Sequence, residues 1–560
     1  MGDRASDETF DHVVVGAGSA GCVLANRLSA DGRRRVLLLE AGGSDRGFWT
    51  RVPIGYGRVY YDRRVNWKYT SDPVPGLDGA TSYWPRGRTL GGSSSINAMV
   101  WVRGDRDDYE TWARTAPGWG WDEVGPVFRD MESWGGAPHP ARGDAGPMRV
   151  TDTAGEVHPL CDAWLAAARE TGFAANPDYN ADDLEGVGLY QISTHRGWRA
   201  SSSACHLAPA RHRPNLVVRT RAQVTGLAFD GARVTGVTWR PCARDGTRRP
   251  IGPERRVAAR VEVVLAAGAV NSPQLLQLSG IGPGELLAAH GIPVRRHVPA
   301  VGEHLQDHLG ADGLYRARVP TLNQALGPWH GKLRVGARFL ARRRGPLALS
   351  LNQAGGFVRS GSDAARPDLQ LYFSPLSYTR APPGTRPLMS PDPFPGLLIG
   401  FNPCRPTSRG RIRLRSADPF DAPSIQPNYL DTAHDRELMR RGMRLVRRLA
   451  AADALRPVID AEIQPGPDVE SDEALDAYVR AHAWTVFHAC GTCRMGTDLA
   501  TSVVDERLRV HGVAGLRVAD ASIFPTIPSG NTNAPAIMVG ERAAAFALED
   551  ARRGDRGDRP

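Results

Sequence analysis

Residues 13–21 read VVVGAGSAG, an apolar run that breaks into glycines at positions 16, 18 and 21. That spacing leaves the backbone few options. The first glycine permits a sharp turn out of a strand. The second lets other backbone or a pyrophosphate come close, and the third lets a helix pack tightly against the strand. The N–H groups that open such a helix, with the positive end of its dipole, suit an anion. The pattern predicts a strand over 12–15, a helix over 20–28 and a second buried strand over 35–39 that ends at Glu40. A carboxylate about 20 residues beyond the turn can accept hydrogen bonds from ribose hydroxyls and repel a 2′-phosphate. The opening is thus a βαβ unit built for a dinucleotide. The glycines alone leave FAD and NAD both open.

A chain of 560 residues exceeds one ordinary core, so two or more domains are expected. The start, MGDRASDETFDH, is charged and has no apolar segment of a secretory leader. No run of about 18 apolar residues occurs, which argues against a membrane span and for a cytoplasmic protein. The net charge of +10 invites a nucleic-acid reading. Yet the basic residues are scattered, and Lys68 and Lys332 are the only lysines. The clusters at 33–35 and 342–344 have no interleaved aromatics, so they read as solvated faces rather than a nucleic-acid surface. Seven cysteines make no disulfide framework; Cys490 and Cys493 form a C-x-x-C without a second pair and read as packing residues. His304 and His308 stand four apart, which would suit a metal on a helix, but no third ligand presents itself. Both read as structural histidines, and no metal site is expected.

Beyond the opening unit, residues 67–92 are rich in Pro, Gly and Thr and predict an extended excursion across the dinucleotide. Residues 217–229 and 234–239 read as paired strands, and 261–265 as another buried strand. Between about 311 and 480 the character changes. DLQLYF (368–373) and GRIRLRS (410–416) alternate apolar and polar residues, as half-buried antiparallel strands do, and helical periodicity covers 433–450 and 472–482. After 485 the chain returns to Gly-rich turns and a strand at 516–518. The expected fold is α/β (α+β): a Rossmann-like dinucleotide domain from 1–155, 215–310 and 485–549, with an inserted antiparallel-sheet substrate domain from 156–214 and 311–484. The charged segment 550–560 is expected to fray.

A second motif separates the two cofactors. GRTLGGSSSINAMVWVRG (87–104) has no place in a simple nicotinamide domain, whereas its small residues let backbone pass close to a flavin. Taken with NWKYTSDPVPGL (66–77), WPRGRTLGGSSSINAMVWVRG (84–104), VVLAAGAVNSPQLLQLSGIGP (263–283), VGEHLQDH (301–308), FHACGTCRMG (487–496) and ADASIFPTIPSGNTNAP (519–535), the chain resembles the glucose–methanol–choline (GMC) oxidoreductases along nearly its whole length. The resemblance implies FAD, held by Gly16, Gly18, Ser19, Ala20, Gly21, Glu40 and Ala41, by Gly91, Gly92, Asn97, Ala98, Met99 and Val100, and by Val224, Ala267, Asp520, Ala521 and Asn533. Some relatives tether FAD through a histidine in the second motif. Ile96 stands at the matching position here, so non-covalent FAD is expected.

The resemblance also places His488 over the reactive face of the flavin and Asn531 at the second catalytic position. Oxidising an alcohol requires removal of the hydroxyl proton, for which a neutral imidazole is suited. An amide at Asn531 can hydrogen-bond the developing alkoxide without titrating. Residues 350–357 and 371–378 are expected to wall the substrate, with Met99 and Phe487 near the flavin ring. Residues 345–362 contain no Asp or Glu, which favours an uncharged primary alcohol over a quaternary ammonium. The electron acceptor (oxygen, quinone or soluble carrier) is left open. The alternative activity is carbon–carbon cleavage of hydroxynitriles with a flavin that does not turn over.

Overall fold

The computed structural model describes residues 8–378 and 390–555. The first seven residues, part of the charged start, and the last five, part of the charged tail, lie outside them.

The apolar opening forms the strand Glu8–Val15, longer than the motif predicts because its first residues also pair, in register with Val257–Ala259. Five parallel strands stand in the order Leu216–Thr220, Val36–Glu40, Glu8–Val15, Arg255–Leu265 and Leu516–Val518. Val36–Glu40 and the end of Glu8–Val15 are buried at every position, as parallel strands covered on both faces must be. The helix Ser19–Leu28 packs on this sheet, and the long helix Asn533–Asp555 packs on that helix. The two touch so closely that a Cβ at Gly540 would lie 2.9 Å from Ala20 Cα. Arg27 fixes their relative position through a two-pronged ion pair with Glu541 at 2.7 and 2.9 Å.

The predicted strand 217–229 is two strands. Arg221, at φ 56°, turns the chain between Leu216–Thr220, which joins the parallel array, and Ala222–Asp230, which pairs antiparallel with Arg233–Pro241. The apolar pattern runs through the break, so only the backbone reveals it.

A second sheet is antiparallel, in the order Ile459–Gln464, Leu309–Ala317, Gly396–Pro403, Leu369–Ser374, Ala354–Val358 and Gly186–Leu189, with Trp484–Thr485 beside the start of Leu309–Ala317. Its strand Leu369–Ser374 is buried on both faces rather than one. The alternation predicted for it survives in another form. Leu371 and Phe373 pack into the apolar core, the latter stacked on Trp164, while Tyr372 and Ser374 face an internal cavity. Of 410–416 only Arg411–Arg413 is a strand, in a separate ribbon with Ser424–Gln426. The helices Ala433–Ala450 and Asp472–His482 match their predicted spans. The tail does not fray at 550. The last helix continues to Asp555 because Asp550 is held by Arg517 and, at 2.8 Å, by Arg507. Among the described residues no helix is long and apolar enough to cross a membrane.

Beneath the second motif lies a buried ion cluster. Glu132 accepts from Arg103 at 2.5 Å, from Arg142 at 2.6 Å and from the Trp101 indole at 2.9 Å, with all these side chains out of solvent. Removing the acid leaves the buried Arg103 guanidinium without a counter-ion and Arg142 with Asp178 alone, which costs more than the pair itself is worth. Glu132→Gln is expected to cost about 3–5 kcal/mol, read as a lower urea midpoint; an unchanged midpoint would contradict this account.

Candidate active site

A cavity of about 620 Å³ is lined by residues of both sheets. One end is the glycine turn. Gly16, at φ 98°, sits where a Cβ would meet Ala266 O at 2.5 Å, while a Cβ on Gly18 would have only one neighbour, at 3.7 Å. Gly18 is therefore the bare place in the wall. It also caps the helix Ser19–Leu28, which has no side-chain cap and no acid in its first turn, so its opening N–H groups are available to an anion. Glu40 lines the same end, its oxygens accepting from Ala17 N at 2.9 Å and Gly42 N at 2.8 Å. Burial pushes its pKa up to about 7. Hydroxyl donors from a ribose would favour the ionised form.

The second motif presses against this turn. Gly92, at φ 52°, comes so near that a Cβ would lie 2.7 Å from Gly18 Cα, and Gly91 N donates to Ala17 O at 2.7 Å. Ser19, Ala20, Ala41, Asn97, Ala98, Met99, Val100, Val224, Ala267, Asp520, Ala521 and Asn533 all line the cavity, as do Phe487, His488 and Asn531. Gly21 and Gly91 do not. A Cβ on Gly21 would lie 1.8 Å from Gly16 O, so its part is helix–strand packing, and Gly91 braces the turn from behind. Asp520 is internally satisfied: it accepts from Gly268 N at 2.8 Å, Ser272 Oγ at 2.6 Å and Ser522 N at 2.8 Å.

At the other end the segments 306–310 and 484–490 run antiparallel. Leu309 pairs with Thr485 and Gln306 bridges Cys490. This pairing brings His308 against His488, with Nδ1 to Nδ1 at 2.9 Å. His308 Nε2 lies 2.8 Å from the Cys404 carbonyl, which can only accept, so Nε2 carries the proton. In neutral His308, Nδ1 is then an acceptor, and His488 must donate to it from Nδ1. His488 Nε2 is left as an acceptor, and Asn531 Nδ2 donates to it at 3.1 Å. The amide is oriented by Gln370, whose Nε2 donates to Asn531 Oδ1 at 3.1 Å. Burial lowers the His308 pKa to about 4. Burial first, and then the nearby His308 and Arg86, hold that of His488 well below 6.5. The backbone of His488 is fixed as well, its N–H donating to Asp307 Oδ1 at 2.7 Å. On the other side Gly530, at φ 93°, turns the chain into Asn531 where a Cβ would meet Val102 Cγ1 at 2.7 Å.

The sequence reading set His304 and His308 aside as structural. Neither lies on a helix: the segment is extended and His304 has φ 61°. His308 belongs to the site. Its signal in the sequence is position, since pairing 306–310 with 484–490 puts it beside His488. Gln370 had no such signal. Among the described residues no group of three or more His, Cys, Asp or Glu could hold a metal, and all seven cysteines are unpaired. The segments expected to wall the substrate supply only part of this end of the cavity. Asn352, Tyr372, Ser374 and Tyr378 come from the predicted segments, but Tyr56, Tyr60, Leu314, Leu398 and Tyr478 also contribute. Asp312 brings a carboxylate in from the strand Leu309–Ala317, so the acid-free stretch 345–362 does not describe the whole wall.

Two family models for GMC oxidoreductases match residues 10–310 and 406–540. The chain belongs to the GMC oxidoreductase family. It is 42% identical over 557 residues to a mitochondrial choline dehydrogenase of Homo sapiens, covering 97% of this chain and 90% of that one. It is 38% identical over 554 residues to an alcohol dehydrogenase (acceptor) of Pseudomonas putida, covering 96% of each. The crystal structure of pyridoxine 4-oxidase from Mesorbium loti superposes with a TM-score of 0.84 at 30% identity, covering 97% of this chain and 99% of that one.

Buried histidines held neutral give this GMC oxidoreductase an acid limit. The pKa of His308 falls to about 4 and that of His206 to about 3, against an ordinary 6.5. The unfolded chain binds these protons at a pH where the folded chain does not. Their contribution to stability is thus complete above pH 6.5 and is lost as pH falls toward 4. The thermal midpoint is expected to decline across that interval, and less steeply in His206→Gln; a flat profile would refute the assignment.

Proposed function

We propose that this chain is an FAD-dependent oxidoreductase that oxidises the CH–OH group of a primary alcohol to an aldehyde, with His488 as base and Asn531 as alkoxide partner. The observation that carries the reading is the acceptor Nε2 of His488, aimed into the cavity beside an oriented amide donor. A substrate hydroxyl entering between them would donate to Nε2 while its oxygen accepts from Asn531 Nδ2. As the proton moves to Nε2, the amide stabilises negative charge on oxygen without changing its own protonation. The pairing with His308 fixes the tautomer throughout, and Asp307 fixes the main chain.

The residues around the cavity fit FAD. The bare backbone at Gly18, the uncapped helix start and the carboxylate of Glu40 suit pyrophosphate and ribose. Arg86 borders the cavity with Nε and one terminal nitrogen buried and without partner in the protein. When bound, FAD supplies a two-electron acceptor for the carbon-bound hydride. Ile96 lines the cavity and offers no nucleophile, which supports non-covalent binding. The same reading assigns 1–155, 215–310 and 485–549 to the FAD domain, 156–214 and 311–484 to the substrate domain, and a cytoplasmic location, supported by seven unpaired cysteines. The terminal acceptor is oxygen, a quinone or a soluble carrier.

The test is anaerobic addition of aliphatic, aromatic, amino-alcohol and choline substrates to the purified holoenzyme. Bleaching of the oxidised flavin band by at least one is expected, and the amino-alcohol arms address Asp312. A flavin that stays oxidised, together with cleavage of a hydroxynitrile, would replace the proposal with a lyase. His488→Ala is expected to retain FAD and lose roughly 10²–10⁴-fold in flavin reduction; near-normal reduction would sink the base assignment. His308→Leu, which cannot fix the tautomer, is expected to lose roughly 10²-fold, with part restored by an acceptor in His308→Asn. Equal rates in both variants would remove His308 from the positioning role.

A further inference from the structure

The helix Trp329–Arg342 carries two apolar stripes. One, made by Gly331, Val335 and Phe339, is buried in a cluster that also contains Tyr56, Ile96 and Met99 of the cavity wall. The other points to solvent. Trp329 is 77% exposed, Leu333 66% and Leu340 63%. At about 100° per residue these three fall within about 40° of one another on the helix surface. Single exposed apolar residues need no explanation, but a Trp–Leu–Leu stripe on one helix is a patch. Its surroundings have one sign of charge. By the same spacing Lys332 falls about 80° to one side of the stripe and Arg334 about 120° to the other, while Arg338 and Arg342 lie farther round the helix; the segment 329–344 contains no acid. None of the four pairs with a carboxylate among the described residues; of the arginines that follow, only Arg344 does, with Glu156 at 3.2 Å. On the buried side of the helix Phe339 meets Trp198, which meets Phe48, itself 47% exposed, and Arg51 and Arg343 lie over the same indole.

We propose that this face docks on the surface of an anionic lipid bilayer, lying flat with Trp329, Leu333 and Leu340 in the headgroup–acyl boundary. An exposed apolar stripe flanked by Lys and Arg is the pattern of helices that lie in a membrane interface, where an indole is especially well placed. The basic flanks specify anionic headgroups, and a second copy of this chain would meet them with like charge. Docking would bring the bilayer against the apolar cluster that walls the cavity, within reach of an alcohol or electron acceptor dissolved in lipid.

The experiment is co-sedimentation of the holoenzyme with vesicles of phosphatidylcholine alone and of phosphatidylcholine with 30% phosphatidylglycerol. Binding is expected only to the second, weakening steeply as salt rises. Trp329→Ser/Leu333→Ser/Leu340→Ser is expected to bind at least 10-fold more weakly. Lys332→Gln/Arg334→Gln should lose roughly fivefold per charge. Both variants should keep their FAD content, thermal midpoint and rate with a water-soluble alcohol, since none of these residues lines the cavity. Equal binding to both vesicle types, or undiminished binding by the triple variant, would overturn the proposal. So would a wild-type dimer that the triple variant dissociates and that ignores vesicles, since the stripe would then join copies of the chain.

Discussion

The contact between Nδ1 of His308 and Nδ1 of His488 settles the chemistry available at this site. Two ring nitrogens 2.9 Å apart need one proton between them, and the Cys404 carbonyl decides whose it is. With His308 Nε2 committed to that carbonyl, every hydrogen in the chain of contacts is fixed in turn, ending with an unprotonated Nε2 that faces the cavity. A carboxylate in place of His308 would give the same tautomer. It would also stabilise the imidazolium, whereas a neutral histidine does so less. The site keeps Nε2 of His488 unprotonated at rest, the state that the proposed acceptance of a hydroxyl proton requires.

That contact depends on both sheets. His308 precedes the strand Leu309–Ala317 of the antiparallel sheet, and Gln370 lies on a strand of the same sheet. The segment leading away from His488 returns to the parallel sheet at Leu516–Val518 and then passes Asp520 to reach Asn531. The glycine turn, the second motif and the last helix lock together on the other side, through contacts at Gly16, Gly92 and Gly540 that leave no room for a Cβ. The cavity and the His488–Asn531 pair are thus positioned by one continuous set of packed elements, and the buried cluster around Glu132 supports the stretch from 97 to 104 from below.

Much of this was legible in the sequence because the determining features are local. The βαβ unit, the helices at 433–450 and 472–482 and the strand at 516–518 follow from periodicity and turn residues. The motif residues line the cavity because short motifs hold their own geometry, although Gly21 and Gly91 turn out to brace the wall rather than form it. What was not legible is what depends on pairing between distant segments. The break at Arg221 is a single left-handed residue inside an unbroken apolar pattern. His308 and Gln370 meet His488 and Asn531, and Asp312 reaches the cavity, only through sheet register, and the burial of Leu369–Ser374 on both faces follows from what packs on the polar side. The spacing of His304 and His308 suggested a helix to be weighed, while the segment is extended.

Asp307 explains why the partner of His488 is another histidine. Its carboxylate stands next to His308 in sequence and close to His488 in space, yet it does not reach the imidazole. One oxygen accepts the His488 N–H at 2.7 Å; the other accepts from Tyr429 Oη at 2.5 Å and from the Thr485 hydroxyl. Burial pushes its pKa up while Arg86 and these donors oppose the shift. With those lone pairs engaged, Asp307 serves the main chain and leaves the ring to His308. The charge that an acid would place beside the base is instead held a backbone's width away. An imidazolium formed there by the proposed proton transfer would have no direct counter-ion, and burial would hold its pKa below the ordinary 6.5. In the proposed reaction this favours return of the proton, as suits a base that must be neutral before each new alcohol enters.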